Sequence, residues 1–208
     1  MISSAGSPPI RAVVFDFGGV ISSFDVGIFL RRLAPRTERT VEEIGSLIYG
    51  SRLPVLYESG RISSAEFFGR LAALCGLRMS EEEFVPAFTE IFSPIESTLA
   101  LIRRLKGRYR LGLLSNTNEW HFRGHIETIP VFPLFDAVTL SYEVKEMKPG
   151  ERIYRDALDK LGLPPEACVF IDDIEENVAA ARKLSMRAIR YVGHGRLVAA
   201  LAEIDITA

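Results

Sequence analysis

Two short apolar runs at opposite ends of the chain each end in carboxylates, and they constrain the fold more than any other feature. Residues 12–15 end at Asp16 within the motif FDFGGV, and residues 168–171 end at Asp172 and Asp173 within FIDDIEEN. Short apolar runs followed by such turns are typical of buried parallel strands. Because the carboxyl ends of strands in an α/β sheet face the crevice where ligands bind, these side chains are predicted to converge there.

Carboxylates that converge repel one another unless a cation lies among them. Oxygen ligands without His or Cys favour a hard cation, so the predicted cofactor is Mg²⁺ rather than zinc. Neighbouring side chains on a strand diverge, which makes Asp173 the predicted direct ligand and gives Asp172 a water-mediated or supporting role. Asn177 would orient a water or a carboxylate. The plainer alternatives are that Asp16 caps a turn and Asp173 caps a helix.

The rest of the chain alternates between strand-like and helix-like segments. Besides the first strand, apolar runs indicate strands over residues 111–114, 137–140, 169–171 and 188–192. Helical spacing of apolar residues is found over 95–106, 152–161 and 177–184. This alternation predicts an α/β fold with a Rossmann-like parallel sheet and right-handed crossovers, in a core domain formed by residues 1–22 and 95–208.

Residues 23–94 are predicted to form a small all-helical cap domain inserted after the first strand. No convincing strand pattern occurs between Phe24 and Phe92, whereas amphipathic segments cover 26–33, 41–49, 65–74 and 81–92. A cap inserted at this point lies over the crevice as a substrate lid. Substrate specificity is therefore expected from cap side chains such as Phe24, Tyr49 and Tyr57.

Two further segments are suited to binding an anion. Ser115, Asn116 and Thr117 follow the second core strand, where hydroxyl and backbone N–H groups make an anion cradle without net charge. Lys148 precedes a proline in the motif KPGERIY and is placed to neutralise a phosphate beside Asp16. Considered singly, the Ser115 segment is better explained as an ordinary helix N-cap, and most lysines before a proline have no such role.

Composition limits the range of partners. The formal net charge of −2 provides no basic field for nucleic acid or an anionic membrane, and no apolar run approaches the roughly 18 residues of a membrane span. Cys75 and Cys168 lie in apolar stretches, which indicates two buried free thiols in a reducing compartment, and we expect a cytoplasmic location. A small phosphorylated molecule is the expected substrate. The oligomeric state is open.

The motifs FDFGGV, LLSNTN, KPGERIY and FIDDIEEN, with the cap segment YESGRIS, together resemble the haloacid dehalogenase-like (HAD) superfamily over essentially the whole chain. They look most like the branch that contains bacterial α-D-glucose-1-phosphate phosphatase and the N-terminal phosphatase domain of soluble epoxide hydrolases. The resemblance implies a sheet order of 3-2-1-4-5, with the Asp16 strand between those of Ser115 and Asp173. It also implies an Mg²⁺-dependent phosphatase that forms an aspartyl-phosphate.

By that resemblance Asp16 is the nucleophile and a metal ligand, and Lys148 is its catalytic partner. The backbone carbonyl of Gly18 and the side chains of Asp173 and Asp172 complete the metal ligands. The residues implied to bind substrate and phosphate are Phe17, Gly18, Ser115, Asn116 and Lys148.

One position departs from this pattern. Most members have a second Asp two residues after the nucleophile as general acid and base, whereas this chain has Gly18, and losing such a group costs on the order of 10²- to 10⁴-fold in rate. Asp25 or Glu58 would then supply the acid, or the leaving group would need little protonation, as in a sugar 1-phosphate. The alternatives are a metal-independent 2-haloacid dehalogenase and a catalytically weak or inactive phosphate-binding protein.

Overall fold

The computed structural model describes residues 8–207, and a five-stranded parallel sheet lies at its centre. Its strands, with those of a smaller ribbon, are β1 (Ala12–Phe15), β2 (Ser22–Phe24), β3 (Phe92–Pro94), β4 (Arg110–Ser115), β5 (Ala137–Leu140), β6 (Cys168–Asp172) and β7 (Arg187–Arg190). The sheet order is β5-β4-β1-β6-β7. This is the predicted order 3-2-1-4-5 when only the core strands are counted, so the α/β fold class is confirmed. Residues 1–7 of the predicted core domain lie outside the described residues.

Helices cover both faces of the sheet and build the cap. They are α1 (Val26–Leu33), α2 (Val41–Gly50), α3 (Leu53–Glu58), α4 (Ser64–Cys75), α5 (Glu81–Thr89), α6 (Glu96–Leu105), α7 (Glu119–Gly124), α8 (Ser141–Val144), α9 (Glu151–Leu161), α10 (Glu175–Lys183) and α11 (His194–Ala202). Within residues 8–207, none is long and apolar enough to cross a membrane.

Strand β1 shows why the sheet is buried on both faces. Val13 and Phe15 belong to one hydrophobic cluster and Ala12 and Val14 to the other, as the alternation of side chains along a strand requires. All four are fully buried. The apolar run of the sequence, without polar alternation, therefore reflects a central strand between two layers of helices.

The segment between β2 and β3 has a hydrophobic core of its own. Phe29, Phe67, Phe84 and Phe88 contact one another at its centre. Three of its helices, α2, α4 and α5, begin with a capping box in which a Ser or Thr hydroxyl and a Glu carboxylate satisfy the first free N–H groups.

The expectation that no strand occurs between residues 24 and 92 holds for residues 25–91 and needs a correction at its two ends. Ser22 pairs with Pro94 and Phe24 with Phe92 in a two-stranded antiparallel ribbon at both ends of the cap. The helix predicted over 81–92 accordingly ends at Thr89. Strands of three residues are too short to show a periodic pattern, and they form because the two chain crossings between core and cap lie side by side.

Candidate active site

The sheet register brings the acidic residues of both chain ends together. Phe15 of β1 pairs with Ile171 of β6, so the residues that follow these strands emerge at the same edge. Asp16, Asp172 and Asp173 each offer a carboxylate oxygen within 4.8 Å of the others. The predicted convergence is confirmed. It arises because β1 and β6 are neighbours, although about 155 residues separate them along the chain.

Lys148 joins two of the three carboxylates. Its Nζ atom lies 2.6 Å from Asp16 Oδ1 and 2.7 Å from Asp172 Oδ2, and it also donates to the carbonyl of Leu114 at 3.2 Å. The lysine is 5% exposed. One ammonium among three carboxylates leaves an excess of negative charge when all are ionised, which a further cation would offset.

Asp16 keeps one carboxylate oxygen free. Oδ1 accepts a hydrogen bond from the backbone N–H of Phe17 at 2.7 Å and contacts Lys148, whereas Oδ2 has no hydrogen-bond partner within residues 8–207. Burial raises the pKa of Asp16 to about 7; Lys148 opposes this rise and the charge of Asp172 adds to it. The free oxygen is therefore available to a phosphorus atom or a metal, and a nearby cation would keep it ionised.

The adjacent aspartates have different surroundings. Asp172 is fully buried and accepts hydrogen bonds from Lys148, from the amide of Asn177 at 3.1 Å and from the N–H of Ile174 at 2.8 Å. Asp173 makes no side-chain hydrogen bond to the described residues and lies against Gly19, where a Cβ would come within 2.3 Å of Oδ2. Asp172, not Asp173, thus bonds the start of α10.

These contacts decide between the alternatives for this segment. Asn177 is 3% exposed and holds a carboxylate, as the sequence predicted, instead of being solvated. Burial and the charge of Asp172 raise the pKa of Asp173. A partly buried carboxylate without a donor, placed 4.8 Å or less from two others, has the chemistry of a metal ligand. Asp173 and the free oxygen of Asp16 fit Mg²⁺, with Asp172 in support.

The turn after Asp16 offers a third oxygen. Backbone N–H groups of Ile21 and Ser22 bond the carbonyl of Phe17, and Gly19 bonds that of Ser22, so within residues 8–207 no backbone contact of this turn uses the carbonyl of Gly18. A Cβ at Gly18 would lie 3.2 Å from the ring of Phe24. The position of the missing acid is thus partly filled by a cap side chain.

The phosphate-binding candidates emerge next to Lys148. Ser115 is 2% exposed at the end of β4, and its neighbour Asn116 accepts from the Lys148 N–H at 2.7 Å and donates to the Lys148 carbonyl at 3.0 Å. The Asn116 amide therefore fixes the backbone from which the lysine reaches Asp16. One hydrogen of its Nδ2 group and its backbone N–H are left for the predicted role.

A cavity of about 200 Å³ lies between this edge and the cap. Phe17, Gly18, Ser115 and Asn116 line it from the core. Phe24, Tyr49 and Tyr57, which the sequence singled out for specificity, line it from the cap side.

The two candidates for a replacement acid separate clearly. Asp25 accepts from the N–H of Gly27 at 2.7 Å and pairs with Arg31 at 3.2 Å, both on the exposed side of α1. Glu58 lines the same cavity as Gly18, and burial raises its pKa to about 7. Its carboxylate has no ion-pair partner within residues 8–207. Asp25 is a helix cap, and Glu58 is the carboxyl group that lines the cavity beside Gly18.

The structure also identifies residues that the sequence did not point to. The Ser141 hydroxyl contacts the carbonyl of Glu58 at 2.6 Å and accepts from the N–H of Thr117 at 2.9 Å. Gly60 has φ +61°, a Cβ there would meet the Tyr142 carbonyl at 2.0 Å, and Lys145 donates to the Gly60 carbonyl at 2.8 Å. The YESGRIS segment is thereby held against the core. Its glycine was the only visible signal.

The carboxyl edge of the parallel sheet holds a buried carboxylate, a lysine and an acidic pair, and an inserted helical cap covers it. This combination defines a class of hydrolases with a Rossmann-like core. The chain belongs to the haloacid dehalogenase-like hydrolase family, whose model matches residues 10–184. It is a hydrolase, as the motifs predicted.

Relatives with known names support this assignment. The chain is 27% identical to D-ribitol-5-phosphate phosphatase of Bacteroides thetaiotaomicron, an alignment that covers 87% of this chain and 91% of that protein. It is 26% identical to the sesquiterpene phosphatase astK of Aspergillus oryzae, with coverages of 85% and 87%. A family enzyme from Bacteroides thetaiotaomicron, solved as a magnesium complex, superimposes with a TM-score of 0.78 at 25% identity, covering 88% of this chain and 94% of that one.

Proposed function

We propose that this protein is an Mg²⁺-dependent phosphatase that hydrolyses a small phosphorylated molecule through an aspartyl-phosphate on Asp16. The cluster of Asp16, Asp172 and Asp173 around the end of Lys148 carries the proposal, because three carboxylates within 4.8 Å have one ammonium between them. Relatives named as phosphatases and a neighbour solved with magnesium support it.

The reaction proceeds in two displacements. The free oxygen of Asp16 attacks phosphorus, the bond from phosphorus to the substrate oxygen breaks, and the departing oxygen takes up a proton. Water then attacks the phosphoryl group, which releases inorganic phosphate and regenerates the Asp16 carboxylate. Lys148 holds Asp16 in place and offsets charge on the phosphoryl oxygens, beside Ser115 and the backbone of Asn116.

A bound Mg²⁺ would keep Asp16 ionised and neutralise charge on the phosphoryl group as it transfers. Asp16, Asp173 and the Gly18 carbonyl are the residues suited to hold the ion. Asp172 supports the site by holding Lys148 and Asn177.

Glu58 is the proposed replacement for the acid missing at Gly18. It lines the cavity from the cap, and it is protonated below about pH 7, so it can give a proton to the departing oxygen. The resulting carboxylate can then take a proton from the attacking water. The alternative prediction for the missing acid at Gly18 is a substrate whose leaving group needs little protonation, such as a sugar 1-phosphate.

Gly18 itself favours one other function, halide displacement from a 2-haloacid, in which the leaving group needs no proton. That reaction makes no use of Asp173 or of a metal. The discriminating experiment is hydrolysis of p-nitrophenyl phosphate with and without Mg²⁺, in the natural protein and in Asp16→Asn. Turnover that needs both Mg²⁺ and Asp16 supports the proposal. Metal-independent chloride release from 2-chloropropionate supports the dehalogenase, and phosphate binding without turnover across a broad phosphoester panel supports the non-catalytic alternative.

We further propose a cytoplasmic location. Both cysteines, Cys75 and Cys168, are free and buried, as expected of a protein in a reducing compartment. A small molecule is the proposed partner, in keeping with the size of the cavity.

A further inference from the structure

The cavity under the cap carries information about the substrate that the catalytic residues do not. We propose that the part of the substrate beyond the phosphate is an apolar group about the size of one ring, carried on an alcohol or phenol oxygen. This inference rests on the proposed phosphatase function and narrows it from small phosphorylated molecules to apolar phosphate monoesters.

The cavity wall opposite the catalytic edge is hydrocarbon. Phe29, Ile48, Phe67, Phe88, Ile91 and Phe92 line it together with the three specificity candidates. The surface available to a ligand is therefore mostly aromatic and aliphatic. Apolar groups gain free energy on entering such a site, roughly in proportion to the area removed from water.

Two of the polar side chains of this wall are already engaged, whereas the Tyr49 hydroxyl and the Glu58 carboxyl have no hydrogen bond within residues 8–207. The Tyr57 hydroxyl contacts Ser64 at 2.8 Å and accepts from the N–H of Trp120 at 3.3 Å. His121 contacts the carbonyl of Phe88 at 3.2 Å and the amide of Asn118 at 3.0 Å, and burial lowers its pKa to about 4, so the ring is neutral.

Charges in the cavity point the same way. Among the lining residues in the described part of the chain there is no Lys or Arg, and Glu58 is the one carboxyl. The hydroxyl groups of a phosphorylated polyol would thus enter a site with few free partners, and unpaired buried hydroxyls are unfavourable. A second anionic group on the substrate would have no counter-ion there.

The size of the cavity sets the size of the group. An apolar cavity of about 150 Å³ in a protein core binds benzene. At about 200 Å³, this cavity has room for one ring and a linking carbon.

A matched pair of substrates tests the inference. Cyclohexylmethyl phosphate and glucose 6-phosphate both present a primary oxygen on a six-membered ring, and they differ in the polar groups of that ring. We expect kcat/KM at least about tenfold higher for the cyclohexyl ester. Equal or higher kcat/KM for glucose 6-phosphate would overturn the inference, and would leave the phosphatase proposal standing if that turnover needs Asp16 and Mg²⁺.

Cap variants connect the preference to the cavity. Phe24→Ser and Tyr49→Ser alter lining side chains that are 53% and 55% exposed, so the fold should tolerate them. Val55→Ser is the matched control, since Val55 is 51% exposed on α3 and does not line the cavity. We expect each lining variant to reduce the preference at least about threefold and the control to keep it. A preference unchanged in both lining variants contradicts the assignment.

A binding measurement decides the question without turnover. Trp120 is the single tryptophan and packs against Tyr57 and Phe67 of the cavity wall, so its fluorescence reports occupancy. In Mg²⁺, cyclohexylmethylphosphonate should bind at least about tenfold more tightly than methylphosphonate. Equal affinity would overturn the inference even if the protein proves to be an active phosphatase, and tighter binding without any phosphatase activity would support the cavity assignment alone.

Discussion

The sheet edge and the cap cavity meet at Gly18, but the edge is lined by charged side chains and the cavity by apolar ones. At the edge, the buried carboxyl groups of Asp16 and Asp172 lie 2.6 and 2.7 Å from the buried Nζ atom of Lys148. Across the opening, the wall is aromatic and nearly uncharged. In the proposed function, the edge performs the chemistry and the cavity selects the substrate. A change at the edge should abolish turnover of every substrate, and a change in the cap should alter which substrates are used.

The largest expected effect is that of removing the nucleophile. Asp16→Asn keeps the shape of the side chain but loses the attacking oxygen, so kcat should fall on the order of 10⁴-fold or more for all phosphoesters. Steady-state assays with p-nitrophenyl phosphate measure this loss. Asp25→Asn is the control, because Asn still caps α1, and it should stay within about twofold of the natural protein. More than about 1% residual activity in Asp16→Asn would contradict the assignment of Asp16 as the nucleophile.

Removing the ammonium group of Lys148 should affect both stability and rate. Lys148→Met leaves two buried carboxylates without their cationic partner, so the free energy of unfolding should fall by about 3–5 kcal/mol without Mg²⁺. Urea unfolding checks this value, and added Mg²⁺ should recover part of it. Lys183→Met changes an exposed lysine and should leave stability within about 0.5 kcal/mol. Equal stability of both variants would mean that the ion pairs of Lys148 with Asp16 and Asp172 do not stabilise the fold.

Changing the cap carboxyl group should affect substrates unequally. Glu58→Gln removes the proton donor, so turnover of alkyl phosphates should fall on the order of 10²-fold. The nitrophenolate leaving group needs no proton, so p-nitrophenyl phosphate should lose less than about fivefold. In the natural protein, kcat for alkyl phosphates should fall above pH 7 as Glu58 loses its proton, and this fall should disappear in the variant. Glu82→Gln, at an exposed position in α5, is the control. Equal losses for both substrate classes would assign Glu58 a structural role.

Glu58 should also make stability depend on pH. Its pKa rises from 4.5 unfolded to about 7 folded, so its contribution is fully present below about pH 4.5 and is lost as the pH rises through 7. Glu58→Gln should therefore stabilise the fold by about 2 kcal/mol at pH 8, less than the full shift because the side chain keeps some solvent contact. At pH 4.5 the difference should vanish. A pH-independent difference in urea unfolding would contradict this electrostatic origin.

The smallest effect separates the adjacent aspartates. Asp173→Asn should weaken Mg²⁺ binding at least about tenfold in calorimetric titration and leave the metal-free fold intact, because Asp173 has no donor among residues 8–207. Asp172→Asn should instead lower stability by about 2 kcal/mol, because Lys148 loses a charged acceptor and one of the two accepting oxygens becomes an NH₂ donor. The reverse pattern would assign direct metal binding to Asp172.

Sequence patterns located the acidic and hydroxyl residues of the edge because each lies at or just after the end of a strand, whereas Lys148 precedes a helix. Asp16, Asp172 and Ser115 sit where an apolar run stops, and neighbouring parallel strands must bring such positions together. The same reasoning could not show that Asn116 binds the backbone of Lys148. That contact depends on the conformation of a loop 32 residues away, for which the sequence has no periodic signal.

The cap was predictable only in part. Helical spacing and capping boxes identified α1, α2, α4 and α5, but α3 and the β2–β3 ribbon are too short to produce a pattern. The apolar face of a helix also does not show whether it packs on another helix or lines a cavity. Phe29 and Phe88 do both, so the sequence could name the cap as the specificity element without indicating the chemistry of its substrate.

The most direct test of the central claim is anomalous diffraction from crystals grown with Mn²⁺ in place of Mg²⁺. We predict one strong peak at the sheet edge, within about 2.3 Å of oxygens from Asp16 and Asp173 and of the Gly18 carbonyl. A map without a peak between these carboxylates, or with Asp16 and Asp173 turned away from each other, would contradict it.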